Sequence, residues 1–220
     1  VISGSFYGIY VNGSPTYGGT QGLHIQGNKI GTDHSGQEII ANFQGIELDG
    51  QAGFLMHDIL IGGTEPDAGN LISGNQNGGI IVRGPNVTDV RIQGNKIGTD
   101  LDGYKLLANG QAGLRIDNAS GVRVGGAGDG AGNQIVGGYN SGWISGPAAV
   151  GNVIQGNLIG VNHDGSAAIT PAWLTSGLSE RGILIHDGAS HTTIGGLDAG
   201  AENVIAGYFG AAIDIYGGGD

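Results

Sequence analysis

Gly27-Asn28-Lys29-Ile30-Gly31-Thr32-Asp33, Gly94-Asn95-Lys96-Ile97-Gly98-Thr99-Asp100 and Gly156-Asn157-Leu158-Ile159-Gly160-Val161-Asn162 are near-copies of one heptapeptide. Their starts lie 94−27=67 and 156−94=62 residues apart. Repetition at a steady period of this kind is the mark of a solenoid, in which each repeat buries its apolar face only against its neighbours. A shorter repeat lies inside the long one. Gly8-Ile9-Tyr10-Val11, Gly45-Ile46-Glu47-Leu48, Gly79-Ile80-Ile81-Val82, Gly113-Leu114-Arg115-Ile116 and Gly182-Ile183-Leu184-Ile185 follow at spacings of 37, 34, 34 and 69, the last being two turns.

Each turn carries two further short strands. One set is Gly22–Ile25, Asp58–Ile61, Asp89–Ile92, Gly121–Val124, Asn152–Ile154 and Thr192–Ile194. The other is Lys29-Ile30, Leu71-Ile72, Lys96-Ile97, Gln134-Ile135, Leu158-Ile159 and Val204-Ile205. Apolar residues alternate along these segments, so Ile, Val and Leu from successive turns are expected to stack inward ~4.8 Å apart. Each buried aliphatic side chain contributes roughly 1.5–3 kcal/mol.

Composition agrees with an ordered all-β chain. Gly plus Pro is 49+5=54 of 220 residues, close to the level of disordered chains, but 39% of residues are hydrophobic and fall at period-2 positions. The net charge of −11 and pI of about 4.6 disfavour nucleic acid, whose binders are normally basic. No apolar run approaches the ~20 residues of a membrane span. Cys is absent, which removes thiol chemistry. The opening Val1-Ile2-Ser3-Gly4 matches the mid-repeat Leu71-Ile72-Ser73-Gly74, so residues 1–220 read as one domain cut from a longer chain with flanking domains.

An Asn precedes the third strand of every turn: Asn28, Asn70, Asn95, Asn133, Asn157 and Asn203. Asn tolerates left-handed backbone, bonds nearby backbone and stacks into amide ladders, so these residues are expected to be structural. Long excursions follow the third strand in alternate turns, at Gly31–Gln44, Gly98–Ala112 and Gly160–Arg181. In the intervening turns the excursion comes first, at Gly63–Ala68, Gly126–Ala131 and Gly196–Ala201. The unit of duplication is therefore a pair of turns, and insertions gathered on one side of a solenoid often mark a binding face.

The pattern Gly-Asn-x-Ile-Gly-Thr-Asp, Gly-Ile-x-Ile, Ile-Gly-Gly and Gly-Asn-x-Ile-Ser-Gly-Asn resembles the right-handed parallel β-helix repeats of bacterial secreted proteins, within the broad pectin-lyase-like superfamily. The resemblance covers essentially the whole chain. It implies an all-β, single-stranded, right-handed parallel β-helix with about seven coils of three short strands and long loops at alternating corners. It also implies an extracellular or cell-surface location. It is unspecific for function, since the superfamily holds pectate lyases, polygalacturonases, alginate epimerases, phage tailspikes and adhesin passengers.

Polysaccharide sites in that superfamily usually lie on the outer face of the first sheet. Aligning Gln155 with Gln93 makes that face two columns, Tyr10, Glu47, Ile81, Arg115, Trp143, Leu184, Asp214 and Asn12, Asp49, Arg83, Asp117, Ser145, His186, Tyr216. Trp143, Arg83, Arg115 and Tyr10 are candidate ligand contacts, joined by Trp173 from the longest excursion: a flat ring packs on a sugar, and a guanidinium forks onto carboxylates. Asp49, Asp117, Arg83, Arg115 and His186 are the catalytic candidates. Asp49 and Asp117 are two turns apart, ~9.6 Å by strand spacing, near the separation of inverting glycosidases. The plainer account of Asp49, Arg83 and Asp117 in one column is a surface charge ladder. Likewise Trp173 has the alternative of packing onto a neighbouring loop.

No cofactor or metal is expected. Asp100-Leu101-Asp102-Gly103 and Asn162-His163-Asp164-Gly165 resemble the start of a calcium loop, but the distal Glu is missing and Asx turns explain them better. The six His residues show no metal spacing, and no phosphate-binding Gly-rich loop exists. Two functions follow: a non-catalytic extracellular stalk or adhesin-like segment binding a polysaccharide or cell-surface glycan, or a fragment of a polysaccharide lyase, hydrolase or epimerase.

Overall fold

Alternation along short strands and a forced bend between them build this molecule. The computed structural model describes residues 1–13, 16, 18–50, 53–169 and 181–217. It is all-β, and its strands form stacked sheets that are parallel throughout. The first sheet has seven strands, Tyr7–Asn12, Gln44–Asp49, Gly78–Arg83, Ala112–Asp117, Asn140–Ser145, Arg181–His186 and Ile213–Ile215, in chain order. The second runs through His24–Ile25, Ile59–Gly62, Val90–Gln93, Arg123–Gly125, Val153–Gln155 and Thr193–Ile194. The third runs through Lys29–Ile30, Leu71–Ile72, Lys96–Ile97, Gln134–Ile135, Leu158–Ile159 and Val204–Ile205. The chain visits the three sheets in turn and returns one strand further along, as a parallel β solenoid must.

Register makes the core. Ile30, Ile72, Ile97, Ile135, Ile159 and Ile205 stand in one column of the third sheet. Ile25, Ile61, Ile92, Val124, Ile154 and Ile194 do the same in the second. Val11, Leu48, Val82, Ile116, Ile144, Ile185 and Ile215 lie in register in the first. These columns join in one apolar cluster, in which Ile46, Ile72, Ile92 and Ile116 are wholly buried. The neighbouring first-sheet column Ile46, Ile80, Leu114, Ile183 is interrupted by Gly142, where an added Cβ would meet nothing nearer than 3.7 Å.

Corners require unusual backbone. Just before the second sheet, Gly22, Asp58, Asp89, Gly121, Gly151 and His191 all take positive φ, between 50° and 68°. Gly and Asp suit this left-handed bend because one lacks Cβ and the other bonds its local backbone. At the corner before the third sheet the asparagines form the expected ladder. The Asn95 side-chain amide donates to Asn133 Oδ1 at 2.9 Å, to Ile61 O at 2.9 Å and to Gln93 O at 3.0 Å. Its own Oδ1 accepts from the Asn70 backbone at 3.0 Å and side chain at 2.9 Å. The same exchange links Asn28 to Asn70, Asn133 to Asn157 and Asn157 to Asn203.

Two features go beyond the sequence reading. A second amide ladder, Asn42, Asn75 and Asn109, is buried at the corner between the third and first sheets, with amide-to-carbonyl distances of 3.0 and 2.9 Å. A fourth, minor stack pairs Thr20–Gln21 with Met56–His57 and continues as single bridges, Met56 to Val87, Thr88 to Ser120 and Val150 to Ser190. The excursions after the third strand close as small hairpins through the bridges Thr32–Ile39, Thr99–Leu106 and Val161–Ala168.

Candidate functional site

The outer face of the first sheet is the side of each strand that the core does not use. Register places Tyr10, Glu47, Ile81, Arg115, Trp143, Leu184 and Asp214 in one outward column. Asn12, Asp49, Arg83, Asp117, Ser145 and His186 form the next, as the sequence alignment implies. The Tyr216 ring continues it by stacking on His186 at 5.4 Å.

Rings gather at both ends of this face. At one end Tyr7 stacks on Tyr10 at 4.5 Å, Phe6 meets Tyr7 edge-on at 4.8 Å, and Phe6 stacks on Phe43 at 4.6 Å. Phe6, Phe43 and Tyr10 are exposed. At the other end the Arg115 guanidinium lies 4.9 Å from the Trp143 ring centre, and Trp143 lies 5.2 Å from His186. Between them sit the charges. Arg83 Nε donates to Glu47 Oε1 at 2.7 Å, and its Nη2 reaches the same oxygen. Arg115 Nη2 donates to Asp117 Oδ2 at 3.0 Å, and Asn118 donates to Asp117 Oδ1 at 3.0 Å. The Tyr10 hydroxyl donates to Asp49 Oδ2 at 3.1 Å. Burial, and then the Asp49 charge and hydrogen bond, push the Tyr10 hydroxyl pKa upward. Burial alone would lower the Arg83 pKa, but the Glu47 hydrogen bond and charge outweigh it and raise it.

No family model, curated protein or solved structure matches the chain.

The catalytic candidates are thus brought onto one face but not into one cluster. Arg83 stands between Asp49 and Asp117 in the column and turns to Glu47 instead of either. Each of these carboxylates accepts a bond from a basic, amide or hydroxyl group of the face. His186 is buried and its Nδ1 lies 2.9 Å from Asp187 Oδ2. That contact places the proton on Nδ1 and leaves a lone pair on Nε2 when the ring is neutral. Arg115 Nε, Trp143 Nε1 and His186 Nε2 are buried without a hydrogen-bond partner. Trp173, the remaining candidate, lies outside the described residues. Sequence reading missed Glu47 as the partner of Arg83, and Phe6 and Phe43 as part of the ring cluster.

The turns read as calcium-like are Asx loops. Asp100 Oδ1 accepts three backbone N–H groups, from Gly103, Tyr104 and Lys105, at 2.9–3.0 Å. Asn162 Oδ1 accepts from Ala167, and Asp33 Oδ1 from Gly36, Gln37 and Glu38. Among the described residues no group of three or more His, Asp or Glu side chains is placed to hold a metal ion. No helix among them is long and apolar enough to cross a membrane.

Proposed function

We propose that this chain is a non-catalytic segment of an extracellular, right-handed β-helix of about seven coils, a surface stalk or adhesin-like element whose first-sheet face binds a glycan. Right-handed winding is the hand that parallel crossover connections almost always take. The observation that carries the glycan reading is the set of rings along this face, with Phe6, Phe43 and Tyr10 exposed at one end and Trp143 beside the Arg115 guanidinium at the other. Sugar rings offer apolar C–H faces for the rings and hydroxyls that both donate and accept. Binding rather than turnover is favoured because the carboxylates of the face are tied to neighbouring side chains.

The test is a glycan array with wild type and a Trp143→Ala, Arg115→Ala double variant. Loss of the ring should weaken binding by roughly 1–3 kcal/mol, with the fold intact by circular dichroism. Equal binding by both proteins removes this face from consideration.

One observation favours the second reading, a carbohydrate-active enzyme. His186 Nδ1 is held by Asp187 and its buried Nε2 has no hydrogen-bond partner, the pairing of a general base held by a carboxylate. Release of reducing ends or unsaturated uronates, abolished in His186→Gln, would establish it. No release from any bound glycan would exclude it.

A further inference from the structure

We propose that the outer face of the third sheet is a second binding site, a trough that holds a linear, uncharged polysaccharide along the solenoid axis. This surface is distinct from the first-sheet face. Its floor is the outward column Lys29, Leu71, Lys96, Gln134 and Leu158, in register. The hairpins that follow the sheet form one wall, and the tight turns that precede it form the other. Three cavities of about 180, 290 and 260 Å³ lie in line over this floor. The first and second share Asp67 and Leu71, and the second and third share Lys96 and Gly130. From Lys29 to Leu158 the trough spans four strand steps, roughly 19 Å, which suits a polymer better than a small molecule.

Charge narrows the ligand class. Five of the eight Lys and Arg side chains, Arg83, Arg91, Lys105, Arg115 and Arg181, are in ion pairs. Lys29 and Lys96 are not: among the described residues no carboxylate pairs with either. Instead each ammonium donates to a hairpin carbonyl, Lys29 to His34 O at 2.6 Å and Lys96 to Leu101 O at 2.5 Å. An ammonium has three donors, so each is held in place with others to spare. The opposite wall carries Glu65 and Asp67, both exposed. A polyanion entering the trough meets those carboxylates, and a polycation meets the lysines. A neutral chain of hydroxyls can donate to one wall and accept from the other. Leu101 and Leu158, both accessible, add apolar patches for the C–H faces of its rings. Lys29 and Lys96 are two coils apart, ~9.6 Å, a spacing on the scale of one extended disaccharide.

The experiment is amide-detected NMR of the whole chain with cellohexaose, mannohexaose, xylohexaose and, as the acidic control, hexagalacturonate. At least one neutral probe should shift the amide signals of Gly94, Lys96 and Gly130, with an affinity that does not change as salt is raised. Lys96→Met and Asp67→Asn, on opposite sides of the trough, should each weaken that binding at least tenfold with unchanged circular dichroism. Trp143→Ala should leave it intact, which separates this site from the first-sheet face. The proposal is overturned if no neutral probe moves those amides, or if both trough variants bind like wild type. It is equally overturned if only hexagalacturonate binds, with an affinity that falls with salt, or if Trp143→Ala abolishes the shifts.

Discussion

The inward and outward sides of the same strands obey different rules. On the third sheet's inner side every position of one column is Ile, from Ile30 to Ile205. On the first sheet's outer side the column runs Tyr, Glu, Ile, Arg, Trp, Leu, Asp. Strand spacing fixes the space available inside, so one side-chain shape recurs. Outside, nothing imposes a common volume, and neighbours differ enough to define a local chemistry. Repetition therefore marks what holds the coils together, and its breakdown marks where coils differ in task.

The sharpest way to break this comparison is to put a charge on the repeating side. Ile116→Asp should prevent soluble folding, because a carboxylate would enter a wholly buried aliphatic column without a partner. Soluble protein with wild-type circular dichroism and melting would overturn the inward assignment. The corner amides come next. Asn95→Ala removes bonds to Asn133, Ile61 and Gln93 and leaves Asn70 without its acceptor, a loss on the order of 1–3 kcal/mol. A denaturant midpoint unchanged from wild type would mean that the ladder contributes nothing. The smallest effect should be favourable. Gly142→Ala places a methyl group in the interrupted core column at ordinary contact distance, and should stabilise by about 0.4–1 kcal/mol. A lower melting temperature in that variant would show that Gly142 is needed for close approach and is not a gap in the repeat.

The repeating side was legible in the sequence because its signals are local and periodic. Period-2 apolar residues and one Asn per turn were enough to assign the core columns and the first amide ladder. Register on the outer face was legible for the same reason: offsetting Gln155 against Gln93 brought Trp143 into the Arg115 column, where the strands pair. Side-chain partners were not legible. Asp49, Arg83 and Asp117 read as a vertical charge ladder, yet Arg83 turns to Glu47 and Arg115 pairs along its own strand with Asp117. Long flexible side chains choose among several carboxylates within reach, and a column cannot say which. The second ladder left a usable trace. Ala41-Asn42 and Ala108-Asn109 recur at 109−42=67, the period of the heptapeptides, but Asn75 belongs to a coil without a hairpin and hides the series. The minor stack at Met56 and Val87 left almost none, since single bridges carry no alternation.

The hairpins also have a mechanical consequence. They reach past the intervening coil to touch the coil after it: Leu101 N donates to Gly36 O at 3.0 Å, Gln37 to Asp102 at 3.0 Å, and Lys105 to Glu38 at 3.2 Å. His163 N donates to Gly103 O in the same way. A solenoid bonded only to nearest neighbours peels one coil at a time under load. Stitching between second neighbours makes a pair of coils the natural unit of rupture. Stretched from its ends, such a rod would lengthen in steps that release one duplicated unit, the 94−27=67 or 156−94=62 residues between successive heptapeptides, and would resist tension through fewer, larger events.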